Sequence, residues 1–398
     1  MNIDNSLTSR KNVLITGGGF TNQGGFLMLV AAATEIRERL GAQPVIEIQH
    51  GTQRDRTWLG LDTLLGVQKV RFRPTGGKRD WAKRVKNRLP FVWGSDIDAV
   101  VDVSGFAFGD QWAETRQFRR ALLRRANYFT YWKRHGVPVY LLPQAFGPFE
   151  LSADAAKVAA ENSRLVFARD EDSFRYLQTI NSGLPSSRLR KSPDFTVLLP
   201  GYRPTDSRVL AFEGAVPIVP NWNIAERGTR GQSTAYLDTL EGYVRAIRDR
   251  GERVYGLCHE GRRDRELLEQ IRGRVKEFDI VTPRNGLESK WLLGTAPVVV
   301  AGRYHALVSA LAQGVPSVIH GWSHKYKWLA EDFGASELVQ DPFAGGAIAS
   351  ETLDYMFAAN SDLRNRIAQS AIARKGDAAR MWEVIVDDLS SIGMSKNT

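Results

Sequence analysis

The apolar positions of this chain fall into short runs, each followed by a turn and then by an apolar pattern of helical period. Asn12-Val13-Leu14-Ile15-Thr16 is the first run; it ends at Gly17-Gly18-Gly19, and a helical pattern from Gly25 to Leu40 follows, stopped by Gly41. Pro44 to Gln49, Asp98 to Val103, Val137 to Leu142 and Leu165 to Ala168 predict further strands, with helices between them. The alternation breaks near Pro200-Gly201-Tyr202-Arg203-Pro204-Thr205-Asp206 and then restarts. Strands are predicted at Val216 to Pro220, Arg253 to Cys258, Ile280-Val281, Ala296 to Val300 and Val315 to Ile319. Helices are predicted over Thr234 to Arg250, Asp264 to Phe278, Leu287 to Leu293 and the stretch ended by Gly314. Two α/β halves joined by a Pro/Gly segment predict two Rossmann-like domains, residues 1–203 and 204–398, facing across a cleft, the second carrying C-terminal helices.

Candidate chemistry sits where strands open into helices. Arg303 and His305 follow the Ala296 to Val300 run, a cation and a titratable imidazole two residues apart at the edge where open α/β sheets bind ligands. Arg169 holds the equivalent place after Leu165 to Ala168 in the other half. Each has a plainer reading: an ion pair for Arg303, a first-turn histidine for His305, and for Arg169 a surface run in which Asp170 caps a helix. Asp194 after Pro193 reads as a turn residue, as a partner for an arginine, or as a proton acceptor. The glycine loop is not a dinucleotide fingerprint, because the third glycine position falls on Asn22, and there is no Walker sequence. The lone Cys258 excludes an intramolecular disulfide and a cysteine-based zinc site, and no metal or cofactor is expected.

Length and charge narrow the classes. The chain has 398 residues, more than one ordinary core supports, with 43% hydrophobic and 25% charged residues, as in soluble globular proteins. No apolar run approaches the ~20 residues of a membrane span, and the first eleven residues show no signal-peptide h-region, so a cytoplasmic location is expected. The net charge of +10 favours acidic partners. Arg71 to Arg88 holds eight Lys/Arg against Asp80 alone, and Trp81, Val85 and Leu89 recur every four residues. That pattern predicts a basic amphipathic helix, either solvated or in peripheral contact with an anionic membrane at its inner face. Arg116 to Arg134 is a second basic run, rich in aromatics; neither run carries a nucleic-acid module, and no nucleic-acid partner is expected.

Taken in order, several strand-end pieces form a recognisable set: Gly17 to Gly25, Asp102-Val103-Ser104-Gly105, Gln144 to Pro148, Ala168 to Ser173, Ser192-Pro193-Asp194, Gly302 to Leu307, Gly314-Val315-Pro316 and Trp322 to Tyr326. Together they resemble the polysaccharide pyruvyl transferase family. The resemblance implies a fold similar to B-type glycosyltransferases and transfer of pyruvate from phosphoenolpyruvate onto two hydroxyls of a sugar, in a polysaccharide or a lipid-linked oligosaccharide precursor. It places Arg303, His305 and Arg169 at the donor; the imidazole makes His305, with Arg303, the candidate catalytic pair, and His324 and Lys325 read either as donor or acceptor contacts or as a solvated loop. Gly18, Gly19, Asn22, Gly105 and Asp194 would face the acceptor. Many members carry Gly-Asp after the loop asparagine; here Asn22-Gln23-Gly24-Gly25 has no carboxylate, which leaves more of the proton transfer to His305. Two other readings fit the residues: a sugar-nucleotide glycosyltransferase, with Glu331-Asp332 offered to the ribose, and a non-catalytic protein that binds polymer or membrane through its basic runs.

Overall fold

Strands buried on both faces build two parallel sheets in the computed structural model, which describes residues 10–66, 91–180, 185–227 and 230–394. The basic amphipathic helix expected within 71–88 lies outside the described residues. The first sheet holds β1 (Asn12–Thr16), β2 (Gln43–Glu47), β3 (Asp62–Gly66), β4 (Phe91–Trp93), β5 (Ala99–Asp102), β6 (Val139–Gln144), β7 (Leu165–Ala168) and β8 (Leu189–Lys191), in the order β4-β3-β2-β1-β5-β6-β7-β8. The second holds β9 (Val216–Val219), β10 (Val254–Leu257), β11 (Ile280–Val281), β12 (Val299–Ala301), β13 (Ser317–His320) and β14 (Val339–Gln340), in the order β11-β10-β9-β12-β13-β14. Every recorded strand pair is parallel. Parallel pairing needs crossover helices on both faces, which is why the central strands are continuous apolar runs such as Val13-Leu14-Ile15 and Val298-Val299-Val300. Strand order reverses between β1 and β5 and again between β9 and β12, so each sheet has one topological switch point.

The chain forms two compact units. One comprises Met1–Phe20, Met28–Ser192 and Arg380–Thr398; the other comprises Thr21–Leu27 and Pro193–Ala379. The sequence places a single boundary at residues 203/204, whereas the units exchange chain at 192/193 and again inside the last helix. That helix, Asn360–Ser391, is 32 residues long. Its end joins the first unit because Trp382, Ile385 and Leu389, on one face, are wholly buried there. Asp388 adds a polar tie, accepting from the Tyr140 hydroxyl at 2.7 Å and from Arg164.

The second basic run does form a helix, Arg116–Arg134, capped by Thr115 through the Phe118 amide. Its Phe129 and Trp132 are buried in the core with Leu122 and Ala126, so these aromatics pack rather than stack on a ligand. Cys258 is likewise buried, and burial pushes its thiol up. No helix among the described residues is long and apolar enough to cross a membrane.

Truncation of the buried indole should expose the dependence of the first unit on the last helix. Trp382→Ala is expected to cost about 3–5 kcal/mol, measured as a lower denaturant midpoint of that unit at unchanged slope.

Candidate functional site

At the β9/β12 switch point the backbone is clamped before any catalytic group appears. The Gly302 carbonyl accepts from Asn221 Nδ2 at 2.7 Å and from the Tyr326 hydroxyl at 3.0 Å, while the Asn221 amide donates to the Tyr236 hydroxyl at 3.1 Å. Arg303 follows as the residue before helix Tyr304–Leu311. Its guanidinium grips Asp264 with two parallel bonds, Nε to Oδ2 at 2.7 Å and Nη2 to Oδ1 at 2.5 Å, and Nη1 donates to Glu260. The Asp264 side chain is 0% exposed and that of Arg303 12%. Burial pushes the Asp264 carboxyl up against the opposing pull of Arg303; burial acts to lower Arg303, but its two carboxylates outweigh this and leave it raised. Of the five guanidinium N–H groups, three are committed to these carboxylates and two remain for a ligand.

His305, in the first turn of the same helix, is held from two sides. Asp194 Oδ2 lies 3.4 Å from Nε2. Asp194 Oδ1 is occupied by the Thr196 amide at 3.0 Å and the Thr196 hydroxyl at 2.6 Å, so one carboxylate both caps the short helix Phe195–Leu198 and faces the imidazole. On the other side a Cβ built on Gly24 would lie 2.3 Å from Nδ1, so the imidazole fills the place a side chain at 24 would take. Position 24 therefore has no room for a side chain while His305 holds this place. Asp194, expected at the acceptor, is buried, with its second oxygen 3.4 Å from His305 Nε2. Asn22 is exposed and caps helix Gln23–Leu40 through the Gly25 amide.

The remaining expected donor residues begin helix His324–Asp332. Lys325 is buried, with Nζ 5.4, 5.1 and 5.5 Å from the ring centres of Tyr304, Trp322 and Tyr326, whose faces favour a cation. His324 precedes it in the first turn. Glu331 pairs with Lys327 one turn away at 3.8 Å, and Asp332 with Arg374 at 3.3 Å, so both acids serve the helix surface.

In the first unit the β1/β5 switch point is organised by Asp102, wholly buried. It accepts from Thr16 Oγ1 at 2.8 Å, Ser104 Oγ at 2.5 Å and Arg125 Nη2 at 2.6 Å. Gly17 turns with φ +81°, and a Cβ there would sit 2.3 Å from Ser104 Oγ. Gly18 is buried in this loop, and Gly19 passes beside His50. Arg169 is buried at the end of β7, its guanidinium beside Gly105, while Asp170 caps helix Glu171–Ile180 through the Ser173 amide at 2.8 Å. Asp170 thus caps the helix as the plainer reading has it, but the pair is buried rather than at the surface.

Sequence reasoning singled out Arg303, His305 and Asp194 but not which of them pair, and it missed Asp264. Asp264 lies 39 residues from Arg303, and Gly24 and Asp194 are far from His305 in the chain, so no local spacing links them. Among the described residues no cluster of His, Cys, Asp or Glu is arranged to hold a metal ion.

The family profile of polysaccharide pyruvyl transferases matches residues 22–324. The chain belongs to the polysaccharide pyruvyl transferase family. Among curated proteins, none matches it significantly. Solved structures share the fold. A protein from Listeria monocytogenes assigned as a UDP-N-acetylglucosamine 2-epimerase aligns at TM-score 0.60 and 11% identity, over 98% of both chains. The UDP-GlcNAc 2-epimerase of Neisseria meningitidis, bound to UDP-GlcNAc, aligns at 0.55 and 11%, over 96% of this chain and 100% of that one. HepE of Anabaena, in complex with UDP and glucose, aligns at 0.53 and 12%, over 96% and 100%. Together they show that this pyruvyl transferase family member has two Rossmann-like domains of the kind found in B-type glycosyltransferases and these epimerases.

Two buried imidazoles make acid stability predictable. Burial, helped by the charges of Arg303 and His305, pushes His259 down to about 3, and burial alone pushes His320 down to about 4. Both stay neutral in the fold while the unfolded chain takes up protons below about 6.5. Stability should therefore fall as pH drops from 6.5 towards 4. Thermal melts of His320→Phe are expected to show a shallower decline across that window than the natural chain. Arg303→Ala, which leaves Asp264 buried and unpaired, is expected to lose about 3–5 kcal/mol in denaturant titration.

Proposed function

We propose that this protein transfers the pyruvyl group of phosphoenolpyruvate onto two hydroxyls of a sugar, in a polysaccharide or its lipid-linked precursor, as a cyclic ketal. One sugar hydroxyl adds to the enol carbon that bears phosphate while the terminal methylene takes a proton. The second hydroxyl then displaces phosphate from that carbon, closing the ring. The two hydroxyl protons balance the new methyl C–H and the proton on the released phosphate. The observation that carries this reading is the His305 imidazole, backed by Asp194 and seated on Gly24, at the β9/β12 switch point within the span matched by the family. An imidazole, with one nitrogen to give a proton and one to take it, is suited to such transfers.

Donor recognition requires cations for a phosphate and a carboxylate. Arg303 offers its two uncommitted N–H groups. Glu260 is the exchangeable partner, since its side chain is 36% exposed while that of Asp264 is not. An incoming carboxylate or phosphate takes its place on Nη1 without breaking the buried fork. Lys325 and His324 add charge and a donor from the neighbouring helix. Gly18, Gly19 and Gly105, which carry no side chain near the β1/β5 switch point, and exposed Asn22 are assigned to the acceptor.

The test mixes protein, a panel of glycan and lipid-linked acceptors, and either phosphoenolpyruvate or UDP-sugars. Phosphate release with pyruvate mass gain on the acceptor is expected only with phosphoenolpyruvate; transfer from a UDP-sugar instead would overturn the assignment. His305→Gln should lower kcat by about 10²–10⁴-fold. Gly24→Ala, which pushes the ring off its seat, should lower kcat about 100-fold with little change in melting temperature.

A further inference from the structure

Helix Gly286–Thr295 buries a residue that the proposed chemistry does not use. Lys290 is wholly buried, and its ammonium donates to the Thr196 carbonyl at 2.8 Å. Burying an ammonium is costly unless it is paired, and a helix that only needed to pack would place an apolar side chain there. The acceptor it reaches is not an arbitrary carbonyl. Thr196 is the residue whose amide and hydroxyl hold Asp194 Oδ1, leaving Oδ2 towards His305 Nε2. The preceding residue on the same helix, Ser289, bonds the Gln23 side chain, next to the Gly24 floor under the imidazole. Two consecutive helical residues thus tie down the two segments between which the ring is held. The Lys290 backbone is itself fixed, its carbonyl accepting from Gln313 Nε2 at 2.7 Å.

We propose that Lys290 is a positioning residue for His305, acting through Thr196 and Asp194 to fix which ring nitrogen of the imidazole faces the carboxylate. This rests on the reading of His305 as the proton-transfer group. Burial pulls Lys290 down to about 7, Asp194 opposes that fall, and Lys375 on helix Asn360–Ser391 adds to it. The groups that bear on His305 are Asp194 at Nε2, the Tyr304 ring 5.5 Å away, and His259 within electrostatic range. Lys290 reaches the imidazole through none of these except Asp194.

The experiment labels the six histidines with ¹⁵N and assigns the His305 ring signals by their loss in His305→Gln. In Lys290→Met the His305 ring-nitrogen shifts should move, reporting a changed tautomer balance, and kcat for phosphate release should fall at least about tenfold while KM for phosphoenolpyruvate stays within about twofold. Lys290→Gln, which restores an amide donor one bond shorter on the side of the Thr196 carbonyl, should recover part of the kcat lost in Lys290→Met. Unchanged His305 signals in folded Lys290→Met, or a glutamine variant as impaired as the methionine one, would overturn the proposal. Should Lys290→Met not fold, Thr196→Val removes the hydroxyl bond to Asp194 at nearly unchanged shape and must shift the same signals. If the natural chain does not consume phosphoenolpyruvate, the reading of function fails, and the ring signals still decide the role of Lys290.

Discussion

A carboxylate with no solvent, Asp264, and a guanidinium that meets it with two parallel bonds set the geometry on which the second unit's site depends. Neither side chain tolerates burial alone: the carboxylate needs a cation, and the fork needs planar oxygens. Asp264 belongs to the helix after β10, Arg303 to the turn after β12. Their pairing, with the clamp of Asn221 and Tyr326 on the Gly302 carbonyl, fixes where the chain turns from strand to helix. His305 is two residues on, so its position follows from a backbone that has little freedom left. The imidazole then needs only a floor without a side chain, Gly24, and a carboxylate at its far nitrogen, Asp194.

The first unit solves the same problem with a different centre. At its switch point the connections leave the neighbouring strands in opposite directions, and the strand ends are left uncovered by helix. Polar groups there must satisfy one another or a ligand. Asp102 gathers Thr16, Ser104 and Arg125, and the turn at Gly17 brings backbone close to them because it carries no Cβ. In both units a buried acid thus organises the edge where ligands bind, with an arginine as its partner.

The fold was legible where burial on both faces leaves a continuous apolar run. β1, β2, β5, β6, β7, β9, β10, β11, β12 and β13 all overlap runs visible in the sequence. The edge strands β8 and β14 were not, because they are short and half-solvated: Leu189-Arg190-Lys191 carries one apolar residue in three. The last helix was legible as helix, but not its return to the first unit, since Trp382, Ile385 and Leu389 mark an apolar face without naming what covers it. At the site, the chemistry-bearing pair Arg303 and His305 was legible from its place after a buried strand. Whether Arg303 bonds a ligand or a structural carboxylate was not, and the structure shows a structural pair with two donors left over.

By itself, the sequence determined the class of fold, the family, and which strand ends carry ionisable groups, because these depend on local period and on short ordered motifs. The tertiary structure alone decided the partners: Asp264 for Arg303, Asp194 and Gly24 for His305, Thr196 for Lys290, three aromatic rings for Lys325. Such pairs join residues distant in the chain. They form because a buried charge must find a counterpart wherever the packed strands and helices bring one within reach.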